Sequence, residues 1–257
     1  LNMRKNIFAI ILCLATSAFV FGCGNGAKKA AAEAEAAAEK ARQDSIAAAE
    51  LAAKEKTAME IIATLPEEPV FDIETNLGTI KIKLYSKTPK HRENFEKLAL
   101  TGYYDGLLFH RVINGFMIQG GDPLTRDTSA AAVAKYGQGG PGYTIPAEFV
   151  PGYTHKKGAL AAARRGDVAN PMKESSGSQF YIVQDADACA QLDGAYTVFG
   201  ETVSGLDIID RIAQVATDQR DRPLVDVRIK AVKLDETCLP KANPEGDSAS
   251  GTQNEGK

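Results

Sequence analysis

The sequence predicts a mainly β protein: a closed β-barrel capped by two α-helices and preceded by a long helix rich in Ala, Glu and Lys. After Val70, many short segments alternate as strands do and are punctuated by glycine, while two segments have helical periodicity. This mixture favours a barrel over a parallel α/β sheet. From Ala27 to about Leu65, strong helix formers run without Pro or Gly, which predicts the preceding helix.

The first 22 residues have the features of a secretory signal peptide. Arg4 and Lys5 precede an apolar run over residues 7–21, which is too short and ends too abruptly for a membrane-spanning helix. The end of this segment, VFGC (20–23), resembles the lipobox of bacterial lipoproteins, in which cleavage falls before a cysteine that carries a lipid. The resemblance implies lipidation of Cys23; a conventional cleavable signal is the alternative.

Residues 23–66 are interpreted as the lipidated N-terminus and a helical stalk. A solvated helix of roughly 35 residues would extend about 50 Å, and a partly disordered linker is the alternative. No Asp directly follows Cys23. By resemblance to Gram-negative lipoproteins, this predicts a cell-envelope location, lipid-anchored in the outer membrane and facing the periplasm.

The folded domain is predicted over residues 67–237. Its first two strands, VFDIET (70–75) and TIKIKLY (79–85), flank a tight hairpin turn that ends at Gly78. The further strand-like segments are LLFHRVI, FMIQGG, YTIPAEF, GALAAAR, SQFYIVQ, AYTVFGETV and VDVRIKAVKL. Residues 238–257 are polar with few apolar side chains, which predicts a disordered tail.

Two helices are predicted inside this domain. The first spans 89–100: Thr88 is its candidate N-cap, Pro89 suits its first position, and Gly102 follows its end. Phe95, Leu98 and Ala99 share one face of it. The second helix, LDIIDRIAQVA, begins behind the candidate N-cap Ser204. The residues expected on its buried face are Leu206, Ile209, Ile212 and Ala213.

Composition excludes several classes of function. With 30 basic and 33 acidic residues, the chain has no strong field for nucleic acid. Three histidines without a Cys/His cluster argue against a metal site, and we expect no cofactor. Cys189 and Cys238 remain in an oxidising compartment, where they could pair or stay as free thiols.

The segment FHRVINGFMIQGGD (109–122) places a permanent charge, Arg111, inside an apolar and aromatic run. It resembles the signature of the cyclophilins, the cyclosporin-binding family of peptidyl-prolyl cis-trans isomerases. Three further segments resemble the family and occur in its order: NLGTIKIKLY (76–85), GSQFYIV (177–183) and LDGAYTVFGETVSGLDIID (192–210). The resemblance implies an eight-stranded antiparallel barrel capped by two helices, with isomerase activity on proline-containing polypeptides.

The resemblance also implies the catalytic residue and the pocket beside it. Arg111 is the catalytic residue, because a fixed donor beside the proline nitrogen would bind the twisted amide better than either planar form. Phe116 and Met117 line the proline pocket and Leu192 forms its far wall. Tyr181 stands where the family often has phenylalanine, and is expected to add a hydroxyl at the rim.

The remaining substrate-binding residues follow by the same resemblance. Gln119 is expected to order the arginine and contact the substrate backbone, and His110 to lie at the rim. Ala163 and Arg164 occupy the positions whose backbone pairs with the bound peptide. The other two residues of the groove are Gln179 and Tyr196.

Other interpretations stay open at this stage. A binding module or holdase chaperone could use the same groove without turnover, on the same tether. The catalytic domain is expected to be monomeric. Ser175, Ser176 and Ser178 are interpreted as loop formers, since no histidine–carboxylate spacing singles one out as a nucleophile. Two long loops, 123–139 and 165–176, are predicted to shape the choice of substrate.

Overall fold

The computed structural model describes residues 25–239. The predicted signal peptide (1–22), the lipidation site Cys23 and residues 240–257 of the predicted tail lie outside the described residues. Contacts divide the chain into two units, Leu1–Glu50 and Leu51–Lys257. In the first unit, residues 25–50 are helical and the described side chains are exposed. Between residues 25 and 239 no helix has the length and apolar character needed to cross a membrane.

The long N-terminal helix is confirmed as α1, Asn25–Ile62. Its C-terminal part belongs to the second unit. There Ala58 is buried, and Glu55 Oε1 lies 2.9 Å from Lys97 Nζ on the next helix. The last turns of α1 therefore pack against the folded domain.

Ten strands and four further α-helices follow α1 in the described chain. The strands are β1 Val70–Thr75, β2 Gly78–Leu84, β3 Arg111–Ile113, β4 Met117–Gly120, β5 Thr144–Ile145, β6 Ala159–Ala162, β7 Ser175–Ser176, β8 Phe180–Val183, β9 Val198–Ser204 and β10 Ile229–Leu234. The helices are α2 Pro89–Leu100, α3 Ala130–Val133, α4 Ala186–Cys189 and α5 Leu206–Ala213. The two predicted helices are confirmed as α2 and α5, whereas the single turns α3 and α4 were not predicted. Of the segment YTIPAEF, the two residues of β5 alone form a strand, paired with β7.

Eight antiparallel strands form one curled sheet, in the order β10-β1-β2-β9-β6-β8-β4-β3. The predicted closure is wrong, because β10 and β3 remain its two edges. Leu108 forms an isolated bridge with Arg228, and Phe109 N–H donates to Val227 O at 2.9 Å. Beyond this bridge the β3 backbone bonds to a loop, since Val112 N–H donates to Asp221 O at 2.7 Å.

The main core fills the inside of the curled sheet. Phe95 of α2 lies at its centre, with its ring 5.9 Å from that of Phe71 and 5.8 Å from that of Phe180. The predicted buried face of α2 is confirmed. On α5 the buried residues include Ile208, while Leu206 is exposed, so that part of the predicted face is wrong.

Neither predicted N-cap side chain caps its helix. Thr88 precedes α2, but its hydroxyl donates to Tyr85 O. The N–H groups of Lys90 and His91 donate instead to the carboxylate of Glu148, at 3.1 and 3.0 Å. At α5 the N-cap is Gly205 in the left-handed region, without a side-chain cap.

Candidate active site

Strand register places the predicted site residues on one face of the sheet. Arg111 pairs with Gln119, and Gln119 with Tyr181, across β3, β4 and β8. Successive side chains of a strand point to opposite faces. Val112 and Ile118, which alternate with these residues, lie in the main core. Arg111, Gln119 and Tyr181 therefore share the outer face of the sheet.

A second apolar cluster covers this outer face. Its buried members include Met117 and Tyr181, which are 2% and 4% exposed. Phe116, Leu192 and Tyr196 are partly buried and pack against them. The structure thus brings together the residues predicted to form the proline pocket, and Met117 and Tyr181 are the most deeply buried of them.

Arg111 lies at the edge of this cluster, on the edge strand β3. Its side chain is 42% exposed, and its Nε lies 3.5 Å from Asp221 Oδ2. Its guanidinium donates no hydrogen bond to any residue between 25 and 239. A guanidinium stays charged at any physiological pH, so Arg111 offers fixed donors beside an apolar surface.

Gln119 does not order Arg111 as predicted. Its Nε2 donates to Gln179 Oε1 at 3.1 Å, and the charged partner of Arg111 is Asp221. Gln179 is 6% exposed, and its own Nε2 donates to Gly137 O and Gly139 O at 3.0 and 2.8 Å. Gln119 and Gln179 together tie the loop 123–139 to the site face of the sheet.

The hydroxyl of Tyr181 is buried, and the prediction that it lies at the rim is wrong. It lies 2.8 Å from His155 Nε2, and His155 Nδ1 lies 2.6 Å from Asp193 Oδ1. Burial raises the pKa of Tyr181 well above its usual value. Burial also lowers the pKa of His155, although its hydrogen bond to Asp193 opposes the shift. Burial alone would raise the pKa of Asp193, but hydrogen bonds from His155 lower it, so Asp193 stays a carboxylate. Neutral Tyr181 and neutral His155 therefore form a chain that ends at this charged group.

Arg164 supports Tyr196 and leaves its own backbone free. Its Cζ lies 4.3 Å from the centroid of the Tyr196 ring, and its Nε donates to Ala195 O at 2.8 Å. Ala163 N–H already donates to Gln179 O, which argues against its pairing with a peptide. The backbone groups of Arg164 make no hydrogen bond within residues 25–239. Of these two predicted residues, Arg164 alone has free backbone groups.

His110 is also buried, so its predicted rim position is wrong. It is 5% exposed, and neither ring nitrogen has a hydrogen-bond partner among the described residues. Burial lowers its pKa, although the charge of Asp122 opposes the shift. The ring is therefore held neutral in the protein interior.

Comparison with known proteins decides the family. Residues 70–234, more than half of the chain, match the model described as cyclophilin type peptidyl-prolyl cis-trans isomerase/CLD. The chain belongs to the cyclophilin family. Residues 70–234 form its cyclophilin-type peptidyl-prolyl cis-trans isomerase domain.

Several relatives agree with this assignment of the cyclophilin domain. Peptidyl-prolyl cis-trans isomerase-like 1 of Neurospora crassa is 38% identical over 164 residues, 63% of this chain and 91% of the relative. Peptidyl-prolyl cis-trans isomerase-like 2 of Rhizopus delemar is 39% identical over 162 residues, 62% of this chain. This chain spans 28% of that relative, and 25% and 24% of two others, from Arabidopsis thaliana and Schizosaccharomyces pombe. Those likenesses concern the cyclophilin domain.

A solved structure supports the same assignment. The cyclophilin type peptidyl-prolyl cis-trans isomerase of Cryptosporidium parvum was crystallised in the presence of the dipeptide Ala-Pro. It has a TM-score of 0.55 and 30% sequence identity, and the match covers 65% of this chain and 98% of that one. The cyclophilin fold is mainly β, with a curled antiparallel sheet, as described above.

The cyclophilin domain also contains a Ser–His–carboxylate arrangement that sequence reasoning missed. His91 Nε2 lies 2.9 Å from Ser175 Oγ, and His91 Nδ1 lies 2.6 Å from Glu148 Oε2. Ser175 thus lies in a histidine–carboxylate arrangement that no spacing in the sequence indicated. However, Ser175 is 1% and His91 2% exposed, so no substrate reaches them. The arrangement links α2, the segment after β5, and β7.

The two free cysteines of the described chain are not bonded to each other. Cys189 is buried and Cys238 partly buried, and both are free thiols. Burial raises the pKa of Cys189 to about 11, which makes it a poor nucleophile. Neither cysteine contributes to the pocket chemistry.

Proposed function

We propose that this cyclophilin accelerates rotation of X–Pro bonds in polypeptides that fold outside the cytoplasm, while a lipid on Cys23 holds it at a membrane. The observation that carries the isomerase part is the placement of Arg111. Its half-exposed guanidinium lies beside an apolar cluster that contains Met117 and Tyr181.

The proposed mechanism uses differential binding and moves no proton. An X–Pro bond rotates over a barrier of roughly 18–20 kcal/mol, because the proline nitrogen lone pair is delocalised into the carbonyl. In the twisted state the lone pair is localised and accepts a hydrogen bond. A donor from Arg111 then binds the twisted state better than either planar state. Lowering the barrier by about 7 kcal/mol would give a rate increase of about five powers of ten.

The pocket residues have distinct parts in this proposal. The proline ring packs on Met117 and Tyr181, with Phe116 and Leu192 as walls. The free backbone groups of Arg164 pair with the peptide, as a strand edge does. Exclusion of water by the apolar surface strengthens the donor at Arg111.

A turnover assay separates this function from its alternative, a tethered holdase. The purified full chain is assayed on short X–Pro peptides with a protease that cleaves the trans form. It is also tested for its ability to suppress aggregation of a proline-free unfolded protein. We expect turnover that requires proline. Suppression of aggregation without turnover would support the holdase.

The tether is supported by the sequence of the N-terminal region. A basic pair, an apolar run and Cys23 occur in the order seen in bacterial lipoproteins. The helical residues 25–50, whose described side chains are exposed, would serve as a spacer. We expect labelled palmitate to enter the wild-type chain and not the Cys23→Ala variant. Fractionation with surface proteolysis then tests the outer-membrane, periplasm-facing location. Equal labelling of both variants would contradict lipidation at Cys23.

A further inference from the structure

Asp221 contacts both the backbone of strand β3 and the side chain of Arg111 on that strand. It lies in the loop between α5 and β10. Its carbonyl oxygen accepts from Val112 N–H at 2.7 Å, and its carboxylate oxygen Oδ2 lies 3.5 Å from Arg111 Nε. A single residue thus holds the edge strand β3 and faces the guanidinium that β3 carries.

The backbone of Asp221 has an unusual conformation. Its φ is +62°, and Lys173 is the other non-glycine residue with a positive φ between residues 25 and 239. An L side chain in this region carries a steric cost, which aspartate and asparagine tolerate better than most residues. Such strain is concentrated at functional sites. The position would suit glycine, yet it carries a carboxylate.

The surrounding loop enforces this conformation. The carboxylate of Asp218 accepts from the N–H groups of Arg220 and Arg222, at 2.8 and 3.0 Å. Asp221 N–H donates to Asp218 O at 3.1 Å, and a bridge between Thr217 and Pro223 closes the loop. The loop is therefore rigid, and it delivers the Asp221 carboxylate to a fixed place.

The ion pair is poorly suited to a role in stability. Both side chains are 42% exposed, and ion pairs between exposed groups stabilise a protein little. The carboxylate of Asp221 lies on the Nε side of Arg111. The two Nη groups are left without a partner among the described residues and are available to a substrate.

We propose that Asp221 is the positioning residue for Arg111: its carboxylate holds the guanidinium so that the Nη groups meet the proline nitrogen of the twisted X–Pro bond. This rests on the proposed role of Arg111 in catalysis. Asp221 takes the ordering role that the sequence assigned to Gln119, whose amide bonds to Gln179.

Two substitutions separate positioning from folding. Asp221→Asn keeps the shape and tolerates positive φ but removes the charge. Asp221→Gly removes both the strain and the carboxylate, so its thermal midpoint should be unchanged or raised. We expect kcat/KM to fall about threefold to thirtyfold in both variants, through kcat with little change in KM. The matched control is Asp226→Asn, a loop carboxylate that pairs with Arg222 and Arg228 and should leave turnover unchanged.

A double-mutant cycle with Arg111→Ala completes the test. We expect Asp221→Asn to have no further effect on turnover once Arg111 is absent. An equal loss in that background, or wild-type turnover in both Asp221 variants, overturns the positioning role. If Arg111→Ala itself leaves turnover intact, the proposed catalytic role of Arg111 fails instead. The two failures are therefore distinguishable.

Discussion

Tyr181 connects more of the pocket than any sequence pattern indicated. It lies opposite Gln119 in the β4–β8 ladder, its ring packs edge-on to Tyr196 at 6.0 Å, and its hydroxyl bonds to His155. The family motif predicted that Tyr181 belongs to the site. It did not predict the partner of the Tyr181 hydroxyl, because His155 is 26 residues away and no local periodicity relates the two residues.

The Tyr181→Phe variant should lose stability and keep activity. The ring that contacts the substrate is retained, while a buried nitrogen of His155 loses its partner, which costs about 1–2 kcal/mol. We expect kcat/KM within about twofold of wild type and a lower urea midpoint. The control is Tyr196→Phe, which removes the hydroxyl of the neighbouring ring that packs edge-on to Tyr181. A large loss of turnover at unchanged stability would show that the Tyr181 hydroxyl acts on the substrate.

At the scale of the element, helix α2 shows what periodicity predicts and what it misses. The apolar spacing, Pro89 and Gly102 predicted the bounds and the buried face of α2. The cap was wrong, because a carboxylate from a distant segment, Glu148, takes the place expected for Thr88. Hydrogen bonds from the His91 ring and from the backbone of His91 and Lys90 lower the pKa of Glu148, although burial opposes this. Local sequence patterns cannot predict a helix cap whose acceptor is distant in the sequence.

The Glu148→Ala variant should unfold at lower urea than wild type. Two helix N–H groups and the His91 ring lose their acceptor, so we expect a loss of about 2–4 kcal/mol in the free energy of unfolding. Glu148→Gln keeps one acceptor oxygen and should lose less. Glu93→Ala, on the exposed face of α2, is the control and should be neutral. Wild-type stability of Glu148→Ala would refute the cap.

Glu96 of α2 should make stability depend on pH. It is 2% exposed, and burial raises its pKa to about 7 from 4.5, although Arg92 opposes the shift. The folded state therefore favours the protonated form, and this contribution to stability is lost as pH rises from about 4.5 through 7. Glutamine mimics the protonated acid. The stability of Glu96→Gln relative to wild type should therefore rise by about 1–3 kcal/mol between pH 4.5 and pH 8.

Urea unfolding at several pH values measures this difference. Glu60→Gln, at an exposed position of α1, is the control for the substitution itself, because the charge of Glu93 contributes to the pKa of Glu96. A constant difference for Glu96→Gln across this range would mean that folding does not shift the pKa of Glu96.

At the scale of the whole molecule, the open edge of the sheet sets the layout of the site. Arg111 lies on the edge strand β3, and the loop that contains Asp221 bonds to that strand where a closing strand would otherwise pair. The loop 123–139 is braced against this loop, because Arg222 stacks over Tyr136 at 5.1 Å. The prediction that the loops 123–139 and 165–176 shape substrate choice remains a prediction.

Alternation predicted the strands, and the family motif predicted the residues of the site. Neither pattern predicted that the sheet has an open edge. Alternation predicts that a segment is a strand, but not which neighbour it pairs with. The segment 217–227 has no apolar period and is held by Asp218 and by the bridge between Thr217 and Pro223. Asp221 could be found only once that loop was placed beside β3.

The most direct test of the account compares turnover and affinity in the Arg111→Ala variant. Exchange-rate measurements on an X–Pro peptide give the isomerisation rate, and a titration of the same peptide gives its Kd. Arg111 is proposed to donate a hydrogen bond to the proline nitrogen in the twisted state alone. We therefore expect the rate to fall about 100- to 1,000-fold while Kd changes less than about threefold. An unchanged rate, or a loss of affinity as large as the loss of rate, would contradict it.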